Sequence, residues 1–142
     1  MAINVFTYGS LMFDPVWNRV VRGRYRSMAA RLFGYVRKKV RGEEYPAVIP
    51  GEASAEVHGV LYLAVATGDL ERLDRFEGPL YRRRQAPLLL PDGSRRPGFL
   101  YVLRAEFRDR LDSEDWDPQE FSRSGIQRFL AGYEGFGRSE SH

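Results

Sequence analysis

The stretch Val5-Phe6-Thr7-Tyr8-Gly9-Ser10-Leu11-Met12 decides how the rest of the chain is read. Its first four residues are apolar or β-prone and favour an extended strand, which Gly9 breaks. Shortly after comes Asp14-Pro15, a helix start. Asp14 is placed to cap the helix, and Pro15 opens it at a position where a missing N–H has no partner to lose. A strand that ends at glycine and passes into a helix leaves consecutive backbone N–H groups unpaired at the turn. With no side chain at Gly9 to block approach, such groups can cradle an anion. If the chain has a ligand pocket, its floor is expected here.

Working outward, Val16, Trp17, Val20 and Val21 form the apolar stripe of the first helix, which Gly23 is placed to stop. Residues 29–40 read as one or two strands broken at Gly34, with Leu32, Phe33, Tyr35 and Val36 as core candidates. The region 42–51 is loop-like around a short extended segment, Tyr45-Pro46-Ala47-Val48-Ile49. Residues 57–66 are apolar on both faces, as a central strand is. Gly68 and Asp69 end that strand and open a helix over 70–77, which Gly78-Pro79 stops. Residues 81–90 and 98–103 are strands joined by the turn Pro91-Asp92-Gly93-Ser94. Asp117-Pro118-Gln119-Glu120 has a capping-box arrangement, and Phe121, Gly125, Phe129 and Tyr133 follow at a spacing of four, so this last helix should pack on the body. The 138–142 tail is expected to fray. Strands dominate and helices are inserted between them, which predicts an α+β fold built on a small mixed, β-barrel-like sheet.

Size and composition fit this reading. The 142 residues suffice for one domain with a sizeable core, spanning 1–142 with a C-terminal helical extension at about 112–136. At 43% hydrophobic and 29% charged, the chain is ordinary for a globular protein. It has no cysteine, which excludes disulfides, thiolate metal sites and a cysteine nucleophile, and suits a reducing compartment. Met1-Ala2-Ile3-Asn4 begins no signal peptide and no run approaches membrane-spanning length, so a cytoplasmic protein without a membrane partner is expected. The net charge of +3 is modest, but arginine and lysine cluster at Arg37-Lys38-Lys39-Arg41, Arg82-Arg83-Arg84 and Arg95-Arg96. These read as solvated faces or as an anion-binding surface. No aromatic-rich RNA-binding pattern or helix-turn-helix supports nucleic acid as the partner.

The helix over 70–77 carries an acid in an awkward place. Leu70, Leu73 and Glu77 share one face, so burying the leucines draws the Glu77 carboxyl inward. Glu77 also sits at the helix C-terminus, where the macrodipole disfavours an anion. Both effects push its pKa upward, as general acid–base chemistry requires. The alternative is an ion pair with one of Arg82 to Arg84, while Glu71 and Asp74 are expected to point to solvent.

Several short motifs in order resemble the gamma-glutamylcyclotransferase-like family. They are Tyr8-Gly9-Ser10-Leu11 after the first strand, Tyr45-Pro46-Ala47, His58-Gly59-Val60-Leu61-Tyr62, and Leu73-Asp74-Arg75-Phe76-Glu77-Gly78 followed by Tyr81 and Arg83. The segment from Trp116 to Tyr133 is similar to the C-terminal extension of the avirulence-induced branch of that family. The resemblance implies a barrel-like fold with a pocket at one end. It also implies a cyclotransferase, an acyltransferase or lyase that cleaves a small gamma-glutamyl amine or amino acid to 5-oxoproline and a free amine, without metal or cofactor. Glu77 would be the catalytic acid/base, and Tyr8, Gly9, Ser10, Leu11, Tyr45 and Tyr81 would contact substrate.

Tyr8 and Tyr81 also read as core tyrosines with hydrogen-bonded hydroxyls, Arg83 as a structural brace, and His58 as a core histidine. Ser10 lacks the second glycine of a nucleophile elbow, and His58 with His142 gives no metal-ligand spacing. A non-catalytic module binding a small carboxylate or amine in the same pocket is the competing reading. Oligomeric state stays open between monomer and weak dimer.

Overall fold

Side-chain alternation along the strands sets the architecture. The computed structural model describes residues 3–132; Tyr133 and the 138–142 tail lie outside the described residues. Five strands close a barrel in the order β1 (Ile3–Thr7), β5 (Glu56–Val65), β2 (Ser27–Phe33), β6 (Tyr81–Leu89), β7 (Arg95–Leu103). A parallel contact between β7 and β1, Val5 opposite Phe99, completes the ring. Phe6, Leu32, Leu61, Leu88 and Leu100, one from each strand, are buried together in one apolar cluster within the barrel. Their neighbours Val5, Tyr62, Tyr101 and Leu103 belong to a second cluster on the outer face, shared with α1 (Asp14–Val20) and α2 (Thr67–Glu77). There Trp17 stacks on Tyr62, with ring centroids 3.6 Å apart.

A second sheet, in the order β4 (Pro46–Pro50), β3 (Tyr35–Val40), β8 (Leu111–Asp115), lies beside the barrel. Gly34, at φ 84°, turns β2 into β3 between the two sheets. The acidic strand β8 shows no apolar alternation and was not expected from the sequence. It is held by cross-strand charge: Lys38 Nζ lies 2.6 Å from Asp115 and Lys39 Nζ lies 3.9 Å from Glu114. The C-terminal extension therefore starts as a strand. Its helix opens at Pro118–Glu120, widens into a π turn over Phe121–Gly125 and continues over 126–132. Asp117 caps it, accepting the Gln119 N–H at 2.9 Å.

Two helix starts differ from expectation. The position before α1 is held by Phe13, and Asp14 lies inside the first turn, where the dipole still favours its charge. Helix α2 begins at Thr67, three residues before the expected Leu70, so that Gly68 and Asp69 lie inside its first turn. The Asp69 carboxylate, 4% exposed, accepts the N–H groups of Arg22 and Gly23, the Tyr25 hydroxyl and the Arg72 guanidinium at 2.6–2.9 Å. This ties the loop after α1 to α2. His58 is a further correction: it is a surface residue of β5, 2.7 Å from Glu56. An outward position on a strand with an acid two residues away solvates it. Among the described residues, no helix is long and apolar enough to cross a membrane.

Candidate active site

A cavity of about 530 Å³ opens where β1 ends, between the C-terminus of α2 and the C-terminal helix. Into it come the turn Tyr8, Gly9, Ser10 and Leu11, together with Tyr45, Glu77 and Tyr81. All seven candidates picked out in the sequence thus line one space. The turn folds as a single 3-10 unit, Ser10–Met12, in which Met12 N–H bonds to Gly9 O and Phe13 N–H to Ser10 O. The N–H groups of Gly9, Ser10 and Leu11 precede these bonds and find no acceptor among the described residues. Gly9 is required by space: a Cβ there would stand 2.8 Å from Pro46 Cδ.

Leu73 is fully buried and anchors α2, which ends when Gly78 adopts φ 76°. One helical turn beyond Leu73, Glu77 is half-buried by exposed surface, yet that surface faces the cavity and the carboxyl lies deep among protein atoms. Among the described residues no cation or hydrogen-bond donor reaches it. Burial foremost, and then the charge of Asp74, pushes its pKa up to about 8. The expected alternative, an arginine partner, is taken up elsewhere. Arg83 Nε lies 2.9 Å from Asp74, which also accepts the Tyr101 hydroxyl at 2.6 Å. Asp74 is therefore not a simple solvated acid. Its partners were missed in the sequence although the hairpin register, which sets Arg83 opposite Tyr101, holds the clue.

The tyrosines place rings at the cavity and commit their hydroxyl protons elsewhere. Tyr8 donates to Tyr101 O, and Tyr81 to Pro46 O at 2.9 Å. Burial raises both pKa values well above the ordinary tyrosine range. Tyr45 is pushed up to about 12, by burial first and then by Glu43 and Glu77. It packs edge-on against Phe129 of the C-terminal helix, which also meets Phe76. Arg128 on that helix holds Glu44 at 2.6 Å beside the cavity. Among the described residues, no three His, Cys, Asp or Glu side chains converge as metal ligands would.

A closed mixed barrel with a cavity lined by both the Gly9 turn and Glu77 is the fold and the site that the comparisons with known proteins meet. The chain belongs to the family described as gamma-glutamyl cyclotransferase, AIG2-like, which matches residues 5–118. Among its relatives, AIG2-like protein D of Arabidopsis thaliana is 35% identical over 131 residues, covering 89% of this chain and 84% of the relative. A solution structure of an Arabidopsis thaliana protein superposes with a TM-score of 0.71 at 22% identity, covering 100% of this chain and 86% of that one. A structure titled gamma-glutamyl cyclotransferase gives a TM-score of 0.63 at 15% identity over 73% of this chain and 68% of that one. At these identities the two structures speak for the fold alone.

Proposed function

We propose that this protein cyclises a small gamma-glutamyl amine or amino acid, releasing 5-oxoproline and the free amine, with Glu77 as general acid/base. The observation that carries the reading is Glu77 itself, a carboxyl without a cation partner among the described residues and with its pKa raised to about 8, in the same cavity as the free amides of the Gly9 turn. The raised pKa brings the Glu77 carboxyl toward the range in which an α-ammonium titrates, which makes proton transfer between the two less uphill than an ordinary carboxylate would. In the reaction, Glu77 takes a proton from the substrate's α-ammonium. The freed amine attacks the γ-carbonyl carbon, forming the ring C–N bond and a tetrahedral oxyanion. The amides of residues 9–11 hold either that oxyanion or the substrate carboxylate. As the bond to the leaving amine breaks, Glu77 gives its proton to the departing nitrogen. The second proton, shed by the ring nitrogen as it becomes the lactam N–H, passes by way of the same carboxylate to the departing amine, which leaves as an ammonium, and Glu77 ends as the carboxylate. Nucleophile and electrophile belong to one molecule, so the protein's main task is to hold the ring-closing pose.

The test is release of 5-oxoproline from a panel of gamma-glutamyl amines and amino acids by the wild type and by Glu77→Gln. Turnover is expected only with the wild type. Undiminished turnover by Glu77→Gln removes the role of Glu77, and thermal stabilisation by the panel without any turnover favours the binding-module reading.

A further inference from the structure

Of the basic cluster at residues 37–41, Lys38 and Lys39 are paired to β8, and Arg41 donates to the Asp109 carbonyl. Arg37 is different. Its guanidinium is half-buried, and burial lowers its pKa. Among the described residues no carboxylate lies within ion-pair distance of it. Asp115 and Asp117 act on it only at longer range and burial outweighs them, so a cation half-withdrawn from water depends on its direct contacts. It donates to Tyr8 O at 2.8 Å and to His58 O at 3.2 Å, at the place where the ladder between β1 and β5 runs out at Thr7 and Val60. The Trp116 ring covers it at 5.2 Å, and Trp116 is itself fixed by its N–H to Glu44 O at 2.8 Å.

The carbonyl of Tyr8 belongs to the same peptide plane as the N–H of Gly9. No cis peptide occurs among the described residues, and in a trans peptide these two groups point in opposite directions. Arg37 does not line the cavity, whereas Tyr8 and Gly9 do. We infer that Arg37 is the positioning residue of the amide cradle: by holding the Tyr8 carbonyl on the far side, it aims the Gly9 N–H into the cavity toward a carboxylate or oxyanion. Its charge also polarises that peptide, which strengthens the N–H as a donor. Trp116 keeps the guanidinium in place. This inference rests on the reading of the cavity as a gamma-glutamyl site, but its test does not require turnover.

The experiment titrates 5-oxoproline into the wild type, Arg37→Gln and Arg37→Lys, following the backbone amide resonances of Gly9, Ser10 and Leu11. Thermal stability and steady-state kinetics are recorded in parallel. The wild type should show saturable shifts at these amides. Arg37→Gln should weaken binding by about ten- to a hundredfold, the range for one charge-assisted hydrogen bond. Arg37→Lys, which keeps a charged donor, should recover part of it. A merely structural arginine would instead make affinity track stability, with Lys no better than Gln. That pattern overturns the inference, as do unchanged binding by Arg37→Gln and a wild type without shifts at residues 9–11. If 5-oxoproline binds in an Arg37-dependent way and no gamma-glutamyl compound turns over, the cradle stands and the cyclisation reading falls. Turnover indifferent to Arg37→Gln gives the reverse.

Discussion

Replacing Glu77 by glutamine should reshape the pH dependence of stability as well as remove turnover. The folded protein binds the Glu77 proton more tightly than the unfolded chain does, with a pKa of about 8 against an ordinary 4.5. The stability drawn from the neutral carboxyl is therefore complete below pH 4.5 and fades as pH climbs through about 8. At roughly 1.4 kcal/mol per pH unit the full displacement is worth about 5 kcal/mol. Because the carboxyl faces a cavity open to water, about half of that, ~2–3 kcal/mol, is the expected loss between pH 5 and pH 9. The Glu77→Gln amide is neutral throughout, so the variant should not share this decline and should gain on the wild type by that amount at alkaline pH. Urea unfolding of both proteins across pH 5 to 9 measures it directly. Activity should drop by a factor on the order of 10² to 10⁴, the usual share of a general acid/base. Two stability curves that run parallel over the whole range would refute the claim that burial raises the Glu77 pKa.

Other perturbations probe separate parts of the argument. Asp69→Ala should destabilise by about 3–4 kcal/mol in urea unfolding, because the Arg22 and Gly23 amides and the Tyr25 hydroxyl lose a buried partner. Burial opposes ionisation of Asp69, but hydrogen bonds from Tyr25, Arg22, Gly23 and Arg72 outweigh it and hold its pKa below the usual range. Its contribution is thus present above the unfolded pKa and shrinks as pH falls through the lowered native value, which acid titration of wild type against Asp69→Ala would show. Gly9→Ala should cost about 1–3 kcal/mol through its clash with Pro46 and impair 5-oxoproline binding, read by thermal shift and titration. Phe129→Ala, which removes a ring packed on Tyr45 and Phe76, should alter relative kcat/KM among gamma-glutamyl substrates by about tenfold according to the leaving amine, within the range one apolar contact supports.

Much of this was legible in the sequence because local signals and tertiary demands agree. The 57–66 run becomes the strand that pairs with both β1 and β2, and Gly34 and Gly78 stop elements with the positive φ their residue type permits. Leu70, Leu73 and Glu77 share a face by periodicity alone, and burial of Leu73 carries the acid inward. What stayed hidden depends on partners distant in the chain. Strand β8 is acidic and is stabilised by lysines over seventy positions away. Asp69 reads locally as the end of a strand and the opening of a helix, while it bonds a loop more than forty residues earlier. Asp74 looks solvated until β6 and β7 bring Arg83 and Tyr101 to it. No propensity announces the π turn over Phe121–Gly125, although Phe121, Gly125 and Phe129 still face the body as their spacing of four indicates.

The family match stops at residue 118, but the cavity does not: Arg128, Phe129 and Gly132 complete its wall. On the proposed reading, the acid and the amides that would handle the reacting atoms come from one stretch of chain and the wall that would meet the leaving amine from another. If that chemistry holds, a few substitutions in the terminal helix would redraw what is admitted while leaving the acid and the amide corner untouched, so descent could diversify the clientele without renegotiating the chemistry.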